Sequence, residues 1–104
     1  MAVFAHDASA MTLNNSTQTL ALIGAPTDIG AGARGASMGP EALRVAGLQA
    51  ALESHGLDVI DRGNLLGPAN PWQPPCGGYR HLPEVVAWNQ QVFGAVLAEL
   101  EAGH

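Results

Sequence analysis

The stretch GAGARG, residues 30–35, is the part of the sequence whose residue types point most directly to chemistry. It matches the Gly-x-Gly-x-x-Gly pattern that holds the pyrophosphate of a dinucleotide. In that motif the helix begins among the glycines, so its positive end faces the phosphates. Here the preceding apolar run ends near Gly24 and the next helix is predicted to begin near Pro40, so no helix would start at Gly32. A small nucleotide-binding module using Gly30–Gly35 therefore remains only as an alternative.

The other side chains that could do chemistry are scattered along the chain. Metal binding needs histidines and carboxylates at close spacing, whereas the four histidines lie far apart, and we expect each to be exposed or to cap a helix: His6, His55, His81 and His104. Cys76 is the single cysteine, which excludes an intrachain disulfide, and no patterned base accompanies it or Ser37. We therefore expect Cys76 to be an inert loop thiol, and we predict no catalytic residue and no metal ligand in this chain.

Composition excludes several classes of partner. The chain has 104 residues, about the length of one small domain, and a formal net charge of −5. Its only fixed cations are four scattered arginines, which cannot form the basic stripe that nucleic acid requires. The N-terminus lacks a signal-peptide pattern and no apolar run has the length of a membrane span. We expect a cytoplasmic protein without a nucleic-acid or membrane partner.

The first half of the sequence predicts a strand, a helix and a second strand. Residues 1–18 lack periodicity and are predicted to be a flexible leader, with Met11 as an alternative start. Residues 20–25 are nearly all apolar, which is typical of a strand buried on both faces. A helix follows from Pro40 to Gly56, with Val45, Leu48 and Leu52 as its apolar face. Residues 57–61 are predicted to form the second strand.

The second half predicts a long loop and one more helix. Residues 63–80 contain four prolines and four glycines, which makes regular structure improbable there. Residues 83–101 are predicted to be helical, with Gly103 as the stop and a buried apolar stripe: Val85, Val86, Val92, Phe93, Val96, Leu97 and Leu100. We also expect Trp72, Trp88 and Phe93 to be packing residues.

The predicted order is strand, helix, strand, helix, which indicates an α/β fold with a parallel sheet. Two parallel strands would leave both edges of the sheet open, and the last helix leads to no further strand. We therefore expect residues 19–104 to be an incomplete part of a larger fold. A further alternative is a non-catalytic remnant that pairs with a partner chain through its exposed sheet edge.

Residues 22–48, LIGAPTDIGAGARGASMGPEALRVAGL, resemble the N-terminal segment of arginases in the ureohydrolase family. The family elements are Gly-x-Pro at the strand end, x-Asp-x-Gly and Arg-Gly in the loop, and Gly-Pro-x-x-x-Arg at the helix start. They correspond here to Gly24–Pro26, Thr27–Gly30, Arg34–Gly35 and Gly39–Arg44. Residues 61–65, DRGNL, match the next strand end, although Asn64 stands where Asp is frequent.

The resemblance implies the first strand–helix–strand–helix portion of a three-layer α/β/α parallel-sheet fold. It also implies, for an intact enzyme, hydrolysis of L-arginine to L-ornithine and urea by two Mn²⁺ ions that hold a bridging hydroxide. The metal-binding segments of the family, such as Gly-Gly-Asp-His, do not occur here, so we expect this chain to be inactive alone. The resemblance also implies that the intact enzyme assembles as a homo-oligomer, a trimer or a hexamer. Asp28 and Arg34 would lie at the rim of the active site or at a subunit contact, or would only make hydrogen bonds within their own loop.

Overall fold

The structure is a computed structural model that describes residues 2–5 and 18–104. Over these residues the helices and strands follow in the order β1 (Ala2–Ala5), β2 (Thr19–Gly24), α1 (Gly39–Val45), α2 (Leu48–Glu53), β3 (Asp58–Asn64) and α3 (Leu82–Glu101). A short 3-10 turn at Ala36–Met38 leads into α1. No helix within the described part is both long and apolar enough to cross a membrane.

Strand β2 is the centre of the sheet, whose strand order is β1-β2-β3. It runs parallel to β3, with Thr19 opposite Asp58, and antiparallel to β1, with Ala2 opposite Ile23. Leu20, Ala21, Leu22 and Ile23 of β2 are all at most 5% exposed, as the apolar run predicted. The predicted parallel pair and α/β class are thus confirmed for β2 and β3.

Strand β1 corrects two expectations. The sequence predicted a flexible leader over residues 1–18 and a wholly parallel sheet, but residues 2–5 form an antiparallel strand on one edge of β2. Four residues are too few for an alternating pattern to be recognised in a sequence, whereas pairing with β2 satisfies their backbone groups. The rest of the predicted leader, Met1 and residues 6–17, lies outside the described residues.

Strand β3 extends past its predicted end at residue 61 through a bulge. Leu22 pairs with Asp61 and Gly24 pairs with Asn64, so β3 carries one extra residue between these two pairs. Gly63 has a φ of 78°, which a glycine adopts without steric cost, and its N–H donates to Oδ1 of Asp61 at 2.8 Å. The bulge therefore lets β3 accompany β2 to the same edge of the sheet.

The helix predicted from Pro40 to Gly56 is two helices, α1 and α2. The break lies at Gly47, whose φ of 92° is left-handed and cannot continue an α-helix. As a result Val45 is 87% exposed and does not share a buried face with Leu48, which is half-buried. Helix α2 ends at Glu53, before the predicted end, whereas Gly56 adopts the left-handed conformation that was predicted for it.

Helix α3 has the predicted length but only part of the predicted buried stripe. It packs against β1 and β2, and its fully buried residues are Trp88 and Glu99. Of the predicted stripe, Val85, Val92 and Val96 are half-buried, whereas four members are at least 40% exposed: Val86, Phe93, Leu97 and Leu100. Adjacent residues on a helix point about 100° apart. Only one residue of each neighbouring pair can therefore face the sheet. The packing prediction is confirmed for Trp88 and wrong for Phe93.

Candidate functional site

Two loops leave the same edge of the sheet. Strands β2 and β3 are parallel, and they end together at Gly24 and Asn64, where the N–H of Leu65 donates to the Gly24 carbonyl at 2.9 Å. The loop after β2 covers residues 25–38 and the loop after β3 covers residues 65–81. We call them the first loop and the second loop. In open α/β sheets, ligands bind outside the carboxyl ends of parallel strands, so these loops form the candidate site.

A network of charged side chains fixes this edge of the sheet. The Arg44 guanidinium donates to both carboxylate oxygens of Asp61 at 2.9 and 3.0 Å, to Glu41 at 2.6 Å and to the Asn64 amide oxygen at 2.5 Å. The hydrogen bond from Arg44 holds the pKa of Asp61 below its ordinary value. A side chain at Gly24 would overlap the Asn64 amide. The network therefore joins α1 to the end of β3, and a side chain at Gly24 would have to displace the Asn64 amide.

Asp28 and Arg34 line one cleft of about 380 Å³ between the two loops. Asn70 of the second loop donates to the Asp28 carbonyl at 2.8 Å and to its carboxylate at 3.3 Å. The Arg34 guanidinium carbon lies 5.2 Å from the ring centroid of Trp72, which is cation–π distance. Both residues therefore contact the second loop, and they do not merely make hydrogen bonds within the first. The cleft offers one carboxylate and one guanidinium at a short distance from the ends of the parallel strands.

His81 connects the two loops through hydrogen bonds to the backbone of each. It is 8% exposed, its Nδ1 lies 2.5 Å from the Ile29 carbonyl oxygen, and its Nε2 accepts the N–H of Gln73 at 3.0 Å. The expectation of an exposed or capping histidine is wrong here, because His81 is buried and makes no side-chain cap to α3. Sequence reasoning missed this role and that of Asn70, since loop residues far apart in sequence carry no pattern that predicts contact. It predicted Trp72 only as a packing residue, whereas Trp72 is 42% exposed beside Arg34.

The remaining candidates do not converge on a second site. His55 and Cys76 are exposed, and Nδ1 of His104 lies 2.7 Å from the Glu99 carboxylate. His6 lies outside the described residues. Among residues 2–5 and 18–104, no group of three or more histidine, cysteine, aspartate or glutamate side chains could hold a metal ion.

The Gly30–Gly35 stretch lies within the first loop. Helix α1 begins only at Gly39, and the preceding 3-10 turn begins at Ala36. Neither α1 nor the 3-10 turn begins among these glycines, so the helix start that the dinucleotide motif places there is missing. Gly30 instead lies near α3, where a Cβ would come within 3.6 Å of the Val85 side chain.

Comparison with known proteins agrees with the resemblance found in the sequence. The Arginase family model matches residues 18–103. An arginase from Brevibacillus brevis is 34% identical over 86 residues, which are 83% of this chain and 29% of that protein. An arginase from Brucella suis biovar 1 (strain 1330) is 35% identical over 83 residues, 79% of this chain and 27% of the relative. An arginase from Staphylococcus aureus (strain COL) is 34% identical over 88 residues, with 82% and 29% coverage.

The chain thus spans less than a third of the length of these relatives. No solved structure gives a significant match. The family match nevertheless extends over almost all of the chain, from before β2 to the end of α3. It includes both loops of the candidate site and the edge of the sheet from which they emerge. The chain therefore belongs to the arginase family.

Proposed function

We propose that this chain forms the first part of an arginase-type ureohydrolase. In its complete form this enzyme hydrolyses L-arginine to L-ornithine and urea. Membership of the arginase family and the arginase names of the relatives support the reaction. Because the chain spans less than a third of those relatives, the activity is assigned to the whole enzyme. For that enzyme we further propose a three-layer α/β/α sheet, a cytoplasmic location and a trimeric or hexameric assembly.

Within that enzyme, we assign this chain the rim of the substrate site. The observation that carries the assignment is the cleft between the two loops, where Asp28 and Arg34 come together beside the carboxyl ends of β2 and β3. An amino-acid substrate has both a cationic and an anionic group at its α-carbon. A carboxylate and a guanidinium at one opening match these charges, and oppositely charged groups at a rim orient an incoming ligand.

The metal chemistry belongs elsewhere in the enzyme. The described residues supply no cluster of three metal-ligating side chains, so they do not fit the two Mn²⁺ ions that the family implies. We propose that other parts of the enzyme hold the ions and that this chain alone does not hydrolyse arginine.

A segment exchange tests the proposal. The matched segment of the Brevibacillus brevis arginase is replaced by residues 18–103, and urea release from L-arginine is measured with Mn²⁺ present. We expect the chimera to be active and the chain of 104 residues alone to be inactive. A folded, Mn²⁺-loaded chimera without activity towards arginine would contradict the proposed function, and so would hydrolysis by the isolated chain.

Variants of the chimera test the rim assignment separately. Asp28→Asn is expected to raise KM for arginine by about tenfold, equivalent to about 1.4 kcal/mol, while kcat changes less. Asp58→Asn is the matched control, since Asp58 is an exposed carboxylate at the start of β3, away from the cleft. Equal KM values for the two variants would remove Asp28 from the rim but leave the family function intact.

A further inference from the structure

The side chain of His81 is the most extensively bonded buried group between the two loops. Its Nδ1 lies beside the Ile29 carbonyl of the first loop, and its Nε2 lies beside both the N–H and the carbonyl of Gln73 in the second loop. Ile29, itself 3% exposed, directly follows Asp28. Gln73 directly follows Trp72, whose ring lies beside Arg34. The two residues that the imidazole contacts, Ile29 and Gln73, are therefore the sequence neighbours of two residues that line the cleft, Asp28 and Trp72.

The surrounding backbone selects one tautomer of the ring. The amide N–H of Gln73 can only donate, and it lies 3.0 Å from Nε2, which accepts this hydrogen bond when it presents its lone pair. The Ile29 carbonyl can only accept, and it lies 2.5 Å from Nδ1, so Nδ1 must carry the proton. The Gln73 carbonyl, 3.1 Å from Nε2, also has Arg80 as a donor at 3.5 Å. A neutral ring protonated at Nδ1 therefore satisfies both loops at once.

The side-chain contacts of His81 accompany an unfavourable backbone conformation. Its φ of 52° and ψ of 42° are left-handed, a conformation that costs most residues about 1–2 kcal/mol. Glycine or asparagine would adopt it more readily. Packing of the ring and its two hydrogen bonds hold the backbone in this conformation, at the point where the second loop enters α3.

We propose that His81, as the neutral ring protonated at Nδ1, positions the two loops that form the cleft. It acts through Ile29 and Gln73 and does not itself touch substrate. The assignment of the cleft to the arginine site rests on the proposed function, whereas the junction between the loops does not. Removing the ring should separate the loops while β2, β3 and α3 remain in place.

The tautomer is measured directly in the chain of 104 residues. Histidine labelled with ¹⁵N gives separate signals for protonated and bare ring nitrogens, and His81→Asn identifies the signal of residue 81. In the neutral ring of His81 we expect a bare Nε2 and a protonated Nδ1, with the exposed His55 as the internal reference. A neutral His81 ring protonated at Nε2 would overturn the proposal.

Two variants separate the ring from the backbone. His81→Gly keeps the left-handed conformation and removes both hydrogen bonds, whereas His81→Asn also tolerates this conformation and keeps a donor near the position of Nδ1. Proton–proton contacts between Arg34 and Trp72 are expected to disappear in His81→Gly and to be partly kept in His81→Asn. His55→Asn is the control and should keep them. Full retention in a folded His81→Gly chain would overturn the proposal.

The chimera links the junction to catalysis. We expect His81→Gly to raise KM for arginine on the order of tenfold with a smaller change in kcat, and His81→Asn to recover part of the loss. An active parent chimera whose KM is unchanged by His81→Gly would overturn the positioning role and leave the proposed function standing. An inactive parent chimera would overturn the proposed function, and the tautomer and the loop contacts would still decide the role of His81 in the chain.

Discussion

A methyl group added at Gly67 tests how the second loop packs on α3. Gly67 lies against the ring of Trp88, and a Cβ at this glycine would overlap Cζ3 and Cε3 of the ring and lie 3.1 Å from Cη2. Carbon atoms in contact are normally about 3.5–4.0 Å apart. Trp88 is 4% exposed, so its rigid ring has no open space to move into. Either the loop or the ring must shift to accept the methyl group.

The expected cost follows from this overlap. Inserting a methylene into a well-packed site typically costs about 1–3 kcal/mol. Because two atoms of a rigid, buried ring are overlapped, we expect Gly67→Ala to lower the free energy of unfolding by about 2–3 kcal/mol. For a chain of this size, the loss corresponds to a fall in Tm of roughly 10–20 °C. Thermal unfolding followed by circular dichroism measures the shift, and urea unfolding measures the free energy and its slope.

Gly94→Ala is the matched control for the added methyl group. Gly94 lies within α3, and a Cβ there would meet nothing within 4 Å. Alanine favours a helix interior over glycine by about 1 kcal/mol, so this variant should be more stable than the parent chain. The cost of Gly67→Ala should also shrink by about 1–2 kcal/mol in a Trp88→Leu background, because the smaller side chain leaves room. The reasoning is refuted if Gly67→Ala changes stability by less than about 0.5 kcal/mol.

Three further predictions concern the ion pairs and the helix break. Arg62 donates to the buried Glu99 carboxylate at 2.6 Å and lowers the pKa of Glu99 below its ordinary value of 4.5. Since Arg62 is half exposed, Glu99→Gln should cost only about 1–2 kcal/mol at pH 7 in urea unfolding. A lowered pKa gives stability that is complete above the ordinary value and lost as the pH falls through the folded value, so this cost should disappear in acid. Arg44→Lys keeps the charge but loses the two-pronged contact with Asp61, and thermal melts should show a loss of about 1 kcal/mol. Gly47→Ala forces a left-handed alanine between α1 and α2 and should cost about 1–2 kcal/mol in the same melts.

Each of these predictions has a result that would contradict it. An effect of Glu99→Gln that persists unchanged at acidic pH would show that the ion pair is not its source. For Arg44→Lys, the control is Arg34→Lys, whose cation makes no ion pair in the described part of the chain. Equal losses at the two positions would argue against a special contribution of the Arg44 contacts. A Gly47→Ala variant as stable as its parent would mean that α1 and α2 can join into one helix.

The sequence determined the elements whose signal is local. The apolar run of residues 20–25 predicted β2 because a strand buried on both faces must be apolar throughout. Pro40, Gly56 and Gly103 marked helix ends, since each restricts or frees the backbone at its own position. The family was likewise identified by residues close together in the chain, through the ordered motif from Gly24 to Arg44. These features depend on neighbours in the chain, which a sequence displays.

Only the tertiary structure decided which distant residues meet. The sequence contains Gly47, but it does not show whether this glycine continues the helix or ends it. The φ of 92° in the structure shows that the helix breaks there. The pairing of β1 with β2 and the choice of Trp88 over Phe93 for the interior depended on where the sheet lies relative to each segment. The contact between the two loops also depended on the tertiary structure. His81 lies 52 positions from Ile29 and meets it only because both loops leave one edge of the sheet. The sequence alone determined the family and the local elements of this protein. Contact between its loops was decided by the parallel ends of β2 and β3, which bring those segments together in space.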